Sequence, residues 1–207
     1  MSFADFFHSL LHGLKHTSIL EYIAVVSGIV SVWFSRRTSV WVYPTGLLNT
    51  MIYIWLSYRA SLYGEASVNV YYTIMSIYGW WIWTQRNTQY QPIVEVQYSS
   101  KNYWLAQVGF FVAAYVVLFF ILDHVQQAFS AETIPWADAL ASASAYTGMW
   151  LMTRKKVESW YWWIITNITS IPLYFVKGYM VTSVYYVILL IMAFAGLVSW
   201  MRKAVKS

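Results

Sequence analysis

Asn69, Thr73, Ser76, Trp80 and Trp83 stand three or four residues apart across a run that contains MSIYGWWIW (75–83). At about 100° per residue they share about 80° of one helix face, with Tyr72 at its edge and Tyr78 on the opposite side. A second such face holds Trp162, Thr166, Ser170 and Tyr174, with Trp163 and Asn167 adjoining; a third holds Trp41, Thr45, Asn49 and Tyr53. These side chains bind rather than react. An indole face attracts a desolvated cation by about 2 kcal/mol, and amides and hydroxyls match the polar groups of a small solute. Polar groups are costly in hydrocarbon, so the faces are expected to look inward. Asn49, Asn69 and Asn167 are expected to reach a cavity or an interhelical network, since their amides are not expected to find partners on their own backbone. Ser and Thr on such helices ordinarily pack or bond back to the preceding turn. For Trp33, Trp83, Trp160, Trp163 and Trp200, near helix ends, the ordinary role is an interfacial anchor.

Titratable groups are sparse where catalysis would need them. The absence of cysteine excludes disulfides and thiolate chemistry. No Asp, Glu, Lys, Arg or His stands in the middle of an apolar run, which excludes proton-relay carboxylates, a haem-ligating pair and a Schiff-base lysine. No Ser/His pair at depth supports proteolysis. His8, His12 and His16 are spaced by four but lack a carboxylate on their side, so they read as part of an amphipathic interfacial helix rather than a metal site. Glu21, Asp138 and Glu158 lie near the ends of apolar runs, where solvation is expected, and His124 follows Asp123 into a loop. Neither an enzyme, a metal nor a cofactor is implied.

Composition says what must position the faces. Of 207 residues 59% are apolar, 20% aromatic and only 10% charged, against roughly 25% charged in an average soluble domain. The expected class is an all-α integral membrane protein, because such long uncharged stretches have to lie in lipid. A bilayer core about 30 Å thick takes roughly 20 helical residues, and seven segments qualify, at 19–35, 40–57, 66–84, 103–122, 135–152, 159–176 and 181–201. The fourth has no polar stripe and reads as a lipid-facing connector. The fifth, WADALASASAYTGMWLM, is small and polar, which suits burial among neighbours. With the N-terminus outside, ten basic residues (Arg36, Arg37, Arg86, Lys101, Arg154, Lys155, Lys156, Arg202, Lys203, Lys206) fall on the cytoplasmic side and three (Lys15, Arg59, Lys177) on the other. Such a bias sets N-out, C-in. It also accounts for the net charge of +5 without a nucleic-acid partner. Residues 1–18 show no cleaved signal peptide pattern and are expected to form an N-terminal interfacial segment.

The chain also repeats. Trp41, Thr45, Asn49 and Tyr53 recur at an offset of 121 as Trp162, Thr166, Ser170 and Tyr174; VYY occurs at 70–72 and 184–186; and WFSRR matches WLMTRKK. Two three-helix units are expected, 19–86 and 135–207, joined by 87–134, which contains a cytoplasmic loop, the fourth helix and an external loop. Units that begin on the same side with one helix between them give a 3+1+3 parallel-repeat arrangement.

These motifs resemble the PnuC family of bacterial vitamin transporters. The family pattern Asn-x-x-Tyr-x5-Tyr-Gly-Trp-x-x-Trp is met by Asn69, Tyr72, Tyr78, Gly79, Trp80 and Trp83, and Trp-x3-Thr-x5-Pro-Leu-Tyr by Trp162, Thr166, Pro172, Leu173 and Tyr174; MTRKKVESW (152–160) and VYPTGLLNT (42–50) are also similar. The resemblance covers nearly the whole chain. It implies a fold related to the SWEET sugar transporters, a homotrimer in the bacterial inner membrane, and facilitated diffusion of nicotinamide riboside, trapped by a separate cytoplasmic kinase that feeds NAD biosynthesis. A neutral aromatic site suits the fixed pyridinium charge of this substrate. Trp80, Trp83 and Trp162 are then expected to supply ring surface, with polar contacts from Asn49, Asn69, Tyr72, Thr166, Asn167 and Ser170; Tyr174, beside Pro172, is expected at an outer gate. Thiamine, riboflavin or a deoxynucleoside remain alternative substrates, and a non-transporting receptor an alternative function.

Overall fold

The computed structural model describes residues 18–59, 63–129 and 133–204; His8, His12 and His16 lie outside them. The described residues form seven helices: α1 (Ile19–Arg36), α2 (Val42–Arg59), α3 (Tyr63–Thr84), α4 (Lys101–Phe129), α5 (Pro135–Thr153), α6 (Ser159–Val176) and α7 (Met180–Lys203). Local chemistry sets several ends. Ser18 and Glu21 form a reciprocal capping box at the start of α1. Pro135 occupies the first turn of α5, where Asp138 accepts from the Ile134 amide at 2.7 Å. Pro172 sits inside α6 without ending it, and the Ser183 hydroxyl of α7 donates to the neighbouring Ile171 carbonyl at 2.9 Å. By composition alone α1, α4 and α7 are apolar enough to cross a membrane. The other four reach 18 to 22 residues, enough to span, and their polar groups are covered by neighbours.

Six helices close a ring. α1, α2 and α3 pack in sequence, as do α5, α6 and α7; α3 then meets α5 and α7 meets α1. α4 packs outside the ring against α5. Ala137, Ala139, Ala141, Ala143, Ala145 and Gly148 are buried along α5, small enough to let three helices approach it closely. α4 is largely exposed, yet its Gln107 is completely buried, so this helix is not purely an apolar connector.

The two halves are tied by matching contacts. Trp83 of α3 donates its indole N–H to the Thr153 carbonyl at the end of α5, and Trp200 of α7 donates to the Ser35 carbonyl at the end of α1, both at 3.0 Å. Gly79 lies under the ring of Tyr43 and Gly196 under that of Trp160. Thr38 and Lys155, in the turns that follow α1 and α5, both take positive φ, 59° and 49°. Tyr43 and Trp160, Gly79 and Gly196, Trp83 and Trp200, and Thr38 and Lys155 each stand 117 residues apart. The structural repeat is therefore offset by 117, not 121. A slip of four residues returns a helix to within about 40° of the same face, which is why the sequence pattern fits the wrong register. These contacts bring the final turns of α1, α3, α5 and α7 together at one end of the bundle. Trp83, Trp160 and Trp200 are buried in one cluster with Tyr43, so they pack the core instead of anchoring at an interface. Trp33 is exposed, with the Arg37 guanidinium 4.6 Å from its ring centroid.

The segment between α3 and α4 folds back over the α5–α6 turn. Gln97 pairs with Lys155 and Val157 through backbone hydrogen bonds at 3.2 and 3.1 Å. Glu158, expected to be solvated, is buried and accepts from the Ser99 amide and hydroxyl, each at 2.9 Å. Lys155, 8% exposed, donates to the Val94 carbonyl at 2.8 Å and sits 4.6 Å from the Trp83 ring centroid. Burial, with the nearby Arg86 charge, pulls its pKa down to about 8.

A methyl group at Gly79 or Gly196 would enter the facing ring, so Gly79→Ala and Gly196→Ala should each cost about 1–3 kcal/mol and lower the melting temperature in detergent. Gly109→Ala, in open space, should not. Between pH 8 and about 10.4 the unfolded chain holds a proton on Lys155 that the folded protein has released, so stability gains from this group as pH rises through that window. Melting curves at pH 7.5, 8.5 and 9.5 should show that gain in the parent protein and its absence in Lys155→Met.

Candidate functional site

Tyrosines from both halves converge inside the ring. Tyr174 of α6 stacks on Tyr186 of α7, with centroids 5.2 Å apart and planes 14° apart, and Tyr185 lies 5.8 Å from Tyr186. Ser170, one turn before Tyr174, lies within reach of the Tyr186 hydroxyl. From α3, Tyr72 comes to 6.0 Å from Trp163 of α6. Its neighbour Tyr71 packs 4.4 Å from Tyr146 of α5 and donates to the Tyr146 carbonyl. Tyr53 of α2 lies within electrostatic reach of Tyr185 and Tyr186. At Gly28 of α1, Asn49 and the Tyr185 hydroxyl approach so closely that no Cβ fits; Asn49 also donates to the Ala24 carbonyl at 2.6 Å. All six ring helices thus contribute to one lining of flat neutral rings edged by hydroxyls and an amide. Such a lining can sandwich an aromatic solute, favour a cation over the ring faces and hydrogen-bond its polar substituents.

Of the residues selected from sequence, Asn49, Tyr72, Ser170 and Tyr174 meet in this interior. The others are placed differently. Asn69 donates to the Glu65 carbonyl one turn back on its own helix, at 2.9 Å, contrary to the expectation that its amide finds no backbone partner. Thr73 bonds Thr50 of α2 at 2.9 Å, so the polar stripe of α3 is met by a neighbouring helix. Further along α3, Trp80 is 39% exposed and Trp83 is 2% exposed in the tryptophan cluster. Trp162 packs into the α4 seam, donating to Gln107 Oε1 at 3.0 Å with its ring 4.7 Å from Phe111. Thr166 bonds back to the Trp162 carbonyl at 2.9 Å, and Asn167 beside it is buried. Tyr53, Trp163, Tyr185, Tyr186 and Glu65 are not among the contacts expected from sequence. The twice-occurring VYY points to two of them; Glu65 lies one residue before the third span expected from sequence, whereas α3 includes it in its first turn and its carboxylate accepts from the Tyr174 hydroxyl at 2.9 Å.

A ring of spanning helices with its polar and aromatic groups turned inward defines a multi-pass membrane protein that binds or conducts a small solute. A family model described as "Nicotinamide mononucleotide transporter" matches residues 18–202, and the chain belongs to this family, the PnuC transporters. It is 23% identical to the nicotinamide riboside transporter PnuC of Escherichia coli K12, over 90% of this chain and 87% of the relative. It is 24% identical to the riboflavin/roseoflavin transporter RibM of Streptomyces davaonensis, over 90% and 86%. The crystal structure of the vitamin B3 transporter PnuC has the same fold, with a TM-score of 0.70 and 23% identity over 95% of this chain and 87% of that one. The protein is accordingly a transporter and not an enzyme.

The Trp162–Gln107 pair tests packing apart from binding. Trp162→Phe and Gln107→Leu each remove one buried partner and should cost about 1–3 kcal/mol. The double variant should lose less than the sum, giving a coupling of about 1 kcal/mol in a double-mutant cycle read from thermal melts.

Proposed function

We propose that this PnuC-family transporter carries nicotinamide riboside across the bacterial cytoplasmic membrane by facilitated diffusion. The reading rests on the neutral, tyrosine-rich lining shared by the two halves. The pyridinium ring carries a fixed positive charge, and ring faces attract such a cation by about 2 kcal/mol when it is desolvated, without burying a counter-charge deep in the bundle. A site of this kind binds and releases. The contacts we assign are Tyr72 and Trp163 for ring surface and Asn49, Ser170 and Tyr174 for polar groups, with Asn69, Thr166 and Asn167 around them. Trp80, Trp83 and Trp162 are not part of this assignment. The ten-to-three distribution of basic residues supports an outside N-terminus and a cytoplasmic C-terminus. We further propose a 3+1+3 helix arrangement, a homotrimer, and net uptake driven by a cytoplasmic kinase that phosphorylates the arriving vitamin. Likeness to a riboflavin transporter favours a second reading in which a neutral flavin stacks between the same rings.

Calorimetric titration of the purified protein with nicotinamide riboside, thiamine and riboflavin should show tightest binding of nicotinamide riboside. Tyr72→Ala and Trp163→Ala should each weaken it about tenfold or more, while Trp80→Ala leaves it unchanged. Undiminished affinity in both interior variants would remove the ring pair from the site. In liposomes the bound vitamin should equilibrate across the bilayer; binding without equilibration would indicate a receptor.

A further inference from the structure

We infer that Glu65 selects for positively charged substrates at the mouth of the path, with Tyr174 as its removable cover; the inference rests on the transport reading above. Three carboxylates stand where α1, α3 and α5 begin, and their engagements differ. Glu21 is occupied in the capping box with Ser18. Asp138 takes Lys177 in the sole ion pair among the described residues, at 2.8 Å. Glu65 faces inward, and the bond its carboxylate makes is to a neutral phenol, Tyr174, on the opposite half of the ring. Lys177, whose charge acts on Glu65, is committed to Asp138 and lies 5.9 Å from the Tyr174 ring centroid.

Geometry couples this bond to the lining. The phenol that covers Glu65 belongs to the ring stacked on Tyr186, and Tyr174 follows Pro172, where α6 lacks one backbone hydrogen bond and bends at low cost. Displacing Tyr174 therefore does two things together: it bares the carboxylate and opens the face of Tyr186. An arriving cation exchanges a phenol hydrogen bond for a charge interaction at the mouth, then passes to rings that hold it without a counter-ion. Lying in the first turn of α3 rather than mid-bundle, the carboxylate attracts the solute without trapping it. A neutral solute of the same shape gains nothing from Glu65 and still meets the rings.

The test compares nicotinamide riboside with its 1,4-dihydro form, which has nearly the same shape and no ring charge. The parent protein should prefer the charged form. Glu65→Gln keeps an acceptor for Tyr174 but removes the charge; it should weaken binding of the charged form about tenfold and leave the dihydro form within about twofold. Glu65→Asp and Tyr174→Phe, which keep the charge, should keep the preference. A Glu65→Gln protein that still prefers the charged form overturns the inference. Should Glu65→Gln fail to fold, a loss of preference in Tyr174→Phe overturns it equally, since the charge is intact there. A parent protein that binds neither form would instead overturn the transport reading.

Discussion

Inside a hydrocarbon layer a polar side chain has no water to turn to, so each amide, hydroxyl and indole N–H on these helices must find its partner within the bundle. That requirement organises the molecule. Trp83 and Trp200 use their indoles to hold the last carbonyls of α5 and α1. Thr50 and Thr73 satisfy each other between α2 and α3, and Gln107 brings an otherwise lipid-facing helix against α6 through Trp162. A few buried polar atoms, among them the Tyr43 hydroxyl and the Trp160 indole N–H in the tryptophan cluster, have no hydrogen-bond partner.

The two ends of the bundle are closed by different chemistry. Where α1, α3, α5 and α7 finish, three tryptophans and Tyr43 form a buried cluster seated on Gly79 and Gly196, and the 85–100 segment is fastened over it by Lys155 and Glu158. Where those helices begin, closure depends on stacked tyrosines and one phenol–carboxylate bond. Dry aromatic packing over glycine is costly to open because it leaves voids with no partner atoms. A single hydrogen bond to a carboxylate exchanges far more readily. The contacts at the Glu65 end are thus the more readily exchanged of the two.

Repetition sets the geometry of this interior. The third helix of each half packs against the first helix of the other, and a lining assembled from one half is completed by the other. Tyr72 meeting Trp163, and Glu65 meeting Tyr174, are contacts between halves. Neither half holds the lining alone.

Helix number and approximate limits were legible in sequence, because lipid imposes a length and a polarity on every crossing segment. Register was not: a four-residue slip barely rotates a helix, so the 121 and 117 offsets are hard to tell apart without contacts. The same limit governed the site. Periodicity placed Asn69, Thr73 and Trp80 on one face of α3, but only packing decided that this face meets α2, and that Tyr72, at its edge, turns to the interior. Trp162 carried a family motif, and its partner Gln107 lies 55 residues away on α4, beyond any local pattern. Sequence determines which side chains must avoid lipid; which neighbour relieves each of them depends on helix rotation and contact, and those exist only once the bundle has formed.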